Sequence, residues 1–137
     1  KIVQELSRMI GNYIAEKGGE CETLPAPFAV FLSADCQNYV EPDISVICDK
    51  NKLDEKGCHG APDWVIEIVS PSSRQMDYYT KLYKYQNAGV REYWIIDKEK
   101  NRIMVHRFEK GNGKEYTFQD AVPVEIYKDF DIDFSKI

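Results

Sequence analysis

Apolar side chains recur at three-to-four spacing from Ile2 through Val3, Leu6, Met9, Ile10 and Tyr13 to Ile14, which predicts an amphipathic helix over residues 2–17 stopped by Gly18-Gly19. The period then shortens. Residues 28–33, entered after Pro25 and Pro27, and residues 44–48 read as strands on either side of a polar turn at 34–38. Residues 49–60 mix charges of both signs with two glycines and read as a solvated loop. The β-branched and aromatic run 64–69 predicts a buried strand that Pro71 ends. A helix follows over 77–88, with Gly89 as its stop, then a buried strand over 92–97 and an alternating strand over 102–108. Gly111-Asn112-Gly113 before Tyr116-Thr117-Phe118 suggests a hairpin, and Phe130, Ile132 and Phe134 alternate with aspartates near the end. This order predicts an α/β (α+β) class, a mixed sheet covered by helices, in a single domain over 1–137.

Composition narrows the class. With 43% apolar and 30% charged residues, the 137-residue chain is neither disordered nor low-complexity, and its longest apolar runs are far too short to span a membrane. It begins at Lys1 without a methionine or a secretory signal, so its natural start is expected upstream. The net charge of −5 argues against non-specific nucleic-acid binding, and any such contact needs a local cationic patch. Cys21, Cys36, Cys48 and Cys58 contain no CxxC pair, which disfavours zinc; they read as buried or partly buried reduced thiols of a cytoplasmic protein. No GxGxxG or GxxxxGKS phosphate loop is present, and neither is a Gly-x-Ser-x-Gly elbow.

Candidate chemistry centres on Glu67. It interrupts the run Trp64-Val65-Ile66-Glu67-Ile68-Val69, where strand periodicity puts it on one face with Val65 and Val69. A buried carboxylate costs several kcal/mol on the usual order-of-magnitude scale unless a cation, a metal or good donors meet it. The plainer reading is a solvated face or a structural ion pair. Asp43 follows Pro42 at the entrance to the strand at Ile44; by itself it is an ordinary turn aspartate. Together the two acids from neighbouring strands are a donor set suited to magnesium, which takes oxygen ligands and keeps several waters. Lys81 sits on the following helix, about 40° from Tyr85 at the rim of the Tyr78–Leu82–Tyr85 stripe. Its ammonium can therefore reach the carboxylates, although an i,i+4 surface pair with Asp77 is the simpler assignment.

Glu41-Pro42-Asp43, the block from Gly60 to Ser73 (GAPDWVIEIVSPSS) and the series Asp77, Lys81, Tyr85, Ala88-Gly89-Val90-Arg91-Glu92-Tyr93-Trp94-Ile95-Ile96-Asp97 resemble the Uma family of restriction-endonuclease-like proteins, in the PD-(D/E)XK nuclease superfamily. The resemblance implies a restriction-endonuclease-like αβββαβ core with extra C-terminal strands, Asp43 on the second strand and Glu67 on the third. It also implies a short family segment ahead of the first helix. The superfamily's lysine two residues after the second acid is replaced here by Val69, and the resemblance transfers its role to Lys81. The implied activity is Mg²⁺-dependent (or Mn²⁺-dependent) hydrolysis of DNA phosphodiester bonds, with Asp43, Glu67 and the Ile68 carbonyl as metal ligands and Lys81 as the cationic group. Arg74 and Lys84 near the site, and Arg102, His106, Arg107 and Lys110 beyond it, are candidate phosphate contacts. Cutting both strands would suit a homodimer. The competing reading is a binding or assembly module that keeps the scaffold without the chemistry, consistent with the acidic charge, with Val69, and with nine tyrosines that could serve an interface.

Overall fold

The computed structural model describes residues 1–34, 38–111 and 113–137; Cys36, Asn112 and part of the expected turn at 34–38 lie outside the described residues. In chain order the elements are helix α1 (Ile2–Glu16), strands β1 (Glu22–Pro25), β2 (Val30–Phe31), β3 (Ile44–Ile47), β4 (Leu53–Asp54), β5 (Gly57–His59) and β6 (Trp64–Ile68). Next comes a π-helical turn (Met76–Thr80) that runs directly into α2 (Lys81–Ala88). The chain closes with β7 (Glu92–Asp97), β8 (Arg102–Arg107), β9 (Gly113–Tyr116), β10 (Ala121–Pro123) and β11 (Asp131–Asp133).

Six strands form the main sheet in the order β1-β3-β6-β7-β8-β9. All neighbours are antiparallel except β6 and β7, which run parallel with Ile68 opposite Ile96. A parallel pair needs a long crossover, and the stretch containing the π turn and α2 supplies it. Helix, three strands, helix and strand thus reproduce the αβββαβ order, with the remaining strands added after it.

Strand alternation divides the core in two. Trp64 and Ile66 of β6, Trp94 and Ile96 of β7, and Ile103 and Val105 of β8 face α1, where Leu6, Ile10 and Ile14 cover them. The C-terminal residues Val122, Val124, Ile132 and Phe134 complete that layer. On the other face Val65, Tyr93 and Ile95 pack with Ala61, Val90 and Tyr85 of α2. Gly89 ends α2 in the left-handed region at φ 98°, where a residue without Cβ is least strained.

Four expectations change. The first strand of the main sheet is β1, not 28–33; only Val30 and Phe31 of that run are strand, and they belong to a small second sheet. The span 49–60 is not a plain loop, because β4 and β5 form a hairpin that pairs with β2. The hairpin strand after Gly111 is β9, which ends at Tyr116, one residue before Thr117. Cys21 and Cys48 are not reduced thiols: they form a disulfide. The β1–β3 register pairs Glu22 with Ile47, so the next residues outward, Cys21 and Cys48, are set side by side. Cys58 is a free, buried thiol, its pKa pushed up to about 11 by burial.

Candidate active site

The β3–β6 register pairs Ile44 with Ile66 and Ser45 with Val65; continued by one residue, it sets Asp43 opposite Glu67. Directly opposed residues of an antiparallel pair project to the same face. Here that is the α2 face, since Glu67 alternates with Ile66 and lies beside Val65. Two hydrogen bonds lock the acids together: the Asp43 N–H donates to Glu67 Oε1 at 3.2 Å, and the Ile68 N–H donates to Asp43 Oδ2 at 2.7 Å.

The helix supplies the cation. Lys81 Nζ lies 3.0 Å from Glu67 Oε2 and 3.2 Å from Asp77 Oδ1. The alternatives for Lys81 are therefore not exclusive, because the intrahelical pair and the reach to the strand acid coexist. The π turn widens the helix immediately before Lys81, whose N–H bonds to the Met76 carbonyl, five residues back. Such single π turns mark functional positions in many helices. Asp77 is itself buried, with Ser73 Oγ donating to its Oδ2 at 2.9 Å and Tyr93 Oη donating to its backbone carbonyl at 2.8 Å.

Glu67 is 3% exposed and holds a second donor, the Tyr85 hydroxyl, 2.8 Å from Oε2. Burial pushes its pKa above the ordinary carboxylate value; Lys81 and the Tyr85 hydroxyl oppose that rise, and the charge of Asp43 adds to it. For Lys81, burial pulls the pKa down, but the negative charges of Glu67 and Asp77 outweigh it and the net displacement is upward. Lys81 therefore carries its full charge at neutral pH. The Tyr85 and Tyr93 hydroxyls are displaced upward by burial and then by the charge of Glu67, and they act only as donors.

The wider candidate set scatters. Arg74 is committed to a two-point pair with the buried Asp97, Nε to Oδ2 at 2.8 Å and Nη2 to Oδ1 at 3.0 Å. The Arg74 hydrogen bond, followed by smaller contributions, holds the Asp97 carboxyl below its ordinary value despite its burial. Arg102 stacks over Tyr78 at 5.9 Å and pairs with Glu115 at 3.5 Å, while Tyr78 Oη donates to Asp97. Arg74 and Arg102 thus flank the sheet end that carries Glu67. Arg107 lies opposite Glu92, at the far end of β7, with Nη2 on the Pro123 carbonyl and Nε 3.7 Å from Glu125; Lys110 also pairs with Glu125. Glu92 lies three strand residues, about 10 Å, from Ile95, the partner of Glu67, and it shares the α1 face with Trp94, away from the site. His106 is tucked beside Tyr93 and Phe108, and its pKa is lowered by burial. Lys84 is exposed on α2 without an ion pair among the described residues.

Asp77, Tyr85 and Tyr93 complete the site; sequence reasoning had the Asp77–Lys81 pair, though on a surface and not buried, and left out the roles of the two tyrosines. A phenol in a buried stripe needs a partner for its hydroxyl, and that rule could have pointed to Tyr85.

A model of the Uma2 family, described as "putative restriction endonuclease", matches residues 1–135, nearly the whole chain. The chain belongs to the Uma2 family. Among curated proteins, this Uma2 chain is 26% identical over 123 residues to the uncharacterized protein slr1290 of Synechocystis, covering 88% of the chain and 63% of that protein. The chain thus spans under two-thirds of that relative's length. Among solved structures it is similar to a putative nuclease belonging to DUF820 from Anabaena variabilis, with a TM-score of 0.75 at 22% identity, covering 98% of this chain and 78% of that one. That likeness establishes the shared fold. No helix of the described residues is long and apolar enough to cross a membrane.

Proposed function

We propose that this Uma2 protein is a metal-dependent endonuclease that hydrolyses phosphodiester bonds in DNA. The observation that carries the reading is the meeting of two strand acids and one helix ammonium, with Asp43, Glu67 and Lys81 joined through contacts of 2.7 to 3.2 Å. A purely structural ion pair accounts for Glu67 and Lys81, yet it does not call for a second, half-buried acid placed directly opposite.

The donor set fits magnesium. No group of three or more His, Cys, Asp or Glu side chains suited to a metal occurs among the described residues, so a closed tetrahedral zinc set is not built here. The two carboxylates match the preference of Mg²⁺, or of Mn²⁺, for oxygen ligands. Asp43 and Glu67 would hold the ion, with the Ile68 carbonyl beside them. Such an ion, when bound, supplies Lewis-acid polarisation of the phosphoryl oxygen and a more acidic water.

The chain's own groups do the rest. Glu67 is fixed in one rotamer by Lys81 and Tyr85, and Asp43 by the Ile68 amide, so the acids need no reorganisation when substrate arrives. Lys81, held charged by Glu67 and Asp77, suits the stabilisation of negative charge growing on the attacked phosphoryl group. In that state it can also donate a hydrogen bond to the attacking water. Asp77 positions Lys81 and touches no substrate.

The direct test is incubation of the purified protein with plasmid and linear DNA in Mg²⁺, in Mn²⁺ and in EDTA. Nicked or cut products are expected with either metal and none with EDTA. Equal, negligible cleavage across metals and substrates overturns the nuclease reading and leaves the binding module.

A further inference from the structure

Along α2 lies a groove that the proposed chemistry does not use. It has a volume of about 390 Å³ and is lined by Val30, Leu32, Tyr39 and Val40 on one side and by Tyr83 and Lys84 of α2 on the other, among others. That volume is within the range of about 300–1,000 Å³ common for ligand sites. The large apolar side chains left exposed among the described residues are Tyr39, Met76, Tyr79 and Tyr83. Three of them line the π turn and α2, and the fourth, Tyr39, lies in the groove wall with Tyr83. Tyr39 and Tyr83 thus place two exposed rings at one groove.

We propose that this groove is a base-stacking subsite that takes an unpaired nucleobase of single-stranded DNA, next to the phosphate held at the Asp43–Glu67–Lys81 centre. The inference rests on the nuclease reading and narrows its substrate class. Three features select this occupant. The groove shares an apolar wall with the site: Leu32 and Val40 pack in the same cluster as Tyr85, whose hydroxyl donates to Glu67, and Lys84 follows Lys81 by about one helical turn on α2. Its lining is mostly apolar, with the polar Ser33, Asn38 and Asn87, and includes two tyrosine rings, which accept the face of any base; Lys84, without an ion pair among the described residues, stands at its wall as a cation for a flanking phosphate. The electrostatics then disfavour a paired duplex. The chain carries a net charge of −5, and the two arginines at the sheet end that carries Glu67, Arg74 and Arg102, are spent on Asp97 and Glu115. Backbone attraction is therefore weak, and stacking, which a base buried in a duplex cannot offer, has to supply the contact.

The test is fluorescence anisotropy in EDTA, so that nothing is cut, using labelled oligo(dT) of about 12 nucleotides and a duplex of the same length. The single strand is expected to bind at least about tenfold more tightly than the duplex, with a salt slope no steeper than about −2. Tyr39→Ala with Tyr83→Ala should weaken single-strand binding by about 5- to 150-fold, while Tyr39→Phe with Tyr83→Phe keeps it. Both positions are more than half exposed, so neither pair of changes threatens the fold. Equal affinity for duplex and single strand, no binding of either, or no effect of the alanine pair overturns the proposal. So does sedimentation showing a dimer that the alanine pair dissolves, since a second copy would then be the occupant. Single-strand binding that depends on the tyrosines, without cleavage in Mg²⁺, leaves the subsite standing and removes the nuclease reading. Cleavage without single-strand preference does the reverse.

Discussion

Asp43→Asn is expected to slow DNA cleavage by about 10³-fold, ~4 kcal/mol of barrier, while the melting temperature moves little. The asparagine carbonyl can still accept the Ile68 N–H that Asp43 Oδ2 accepts at 2.7 Å, so the end of β6 stays where it is. The Asp43 backbone N–H to Glu67 is untouched by the substitution. What disappears is one of two negative charges at the proposed cation site, and the loss should show as a demand for much higher Mg²⁺ as well as a lower rate. Asp43→Ala would blur the result, because it also leaves the Ile68 N–H without its acceptor. Cleavage assays on the asparagine variant, with circular dichroism as the fold control, check this. A wild-type rate in the variant would remove Asp43 from the chemistry.

Lys81→Met should lower the unfolding free energy at neutral pH by about 3 kcal/mol. Methionine keeps the apolar stem and deletes the charge, leaving Glu67, at 3% exposure, and Asp77, at 2%, without their cation. The sign with pH follows from Glu67. Its folded pKa is already raised, so its contribution to stability is fully present below the unfolded value of about 4.5 and is lost as pH rises through the folded value. Removing Lys81 takes away a pKa-lowering influence and moves the folded value further up, which enlarges the loss at neutral pH. Lys81's own contribution, from a raised folded pKa, is present below about 10.5 and fades only above it. The gap between wild type and variant should therefore be widest near neutrality and narrow as pH falls toward 4.5. Urea titrations across that interval measure it, and a gap independent of pH would contradict the buried-acid account.

Much of this arrangement was legible in the residues. Glu67 stood out because an acid inside Trp64–Ile68 conflicts with every neighbour, and such local conflict tends to mark a functional or strained position. Asp43 could be placed once the strand at Ile44 was recognised; helical spacing put Lys81 within reach of the acids, while its role came from the family resemblance and not from the spacing. The three connections that tighten the site did not show. Tyr85 and Tyr93 read simply as core aromatics, because periodicity reports burial and not where a hydroxyl points. The π turn that accompanies the dual reach of Lys81 has no distinctive sequence signal. Outside the site, the misplaced first strand has a plain cause: β1 is four residues long and ends in Pro25, whereas the more apolar stretch after it contributes only Val30 and Phe31 to a side sheet. The Cys21–Cys48 disulfide was hidden for the same reason, since a separation of 27 residues becomes a contact only when the β1–β3 register is known. Glu92 is another buried acid, and it serves the scaffold: it accepts from Trp94 Nε1 at 2.7 Å and from the amides of Glu125 and Ile126, tying the C-terminal segment to the sheet. Glu92 opens its strand right after Arg91, so its burial is less legible than that of Glu67, and the donors around it, not its burial, separate the two roles.

The central claim is that two opposed strand acids form one cation-binding centre. Calorimetric titration of the protein with Mn²⁺ tests it most directly. One ion per chain should bind to wild type, and Asp43→Asn and Glu67→Gln should each abolish that binding with the fold intact. Binding that survives both substitutions, or DNA cleavage by a chain that takes up no ion, would contradict it.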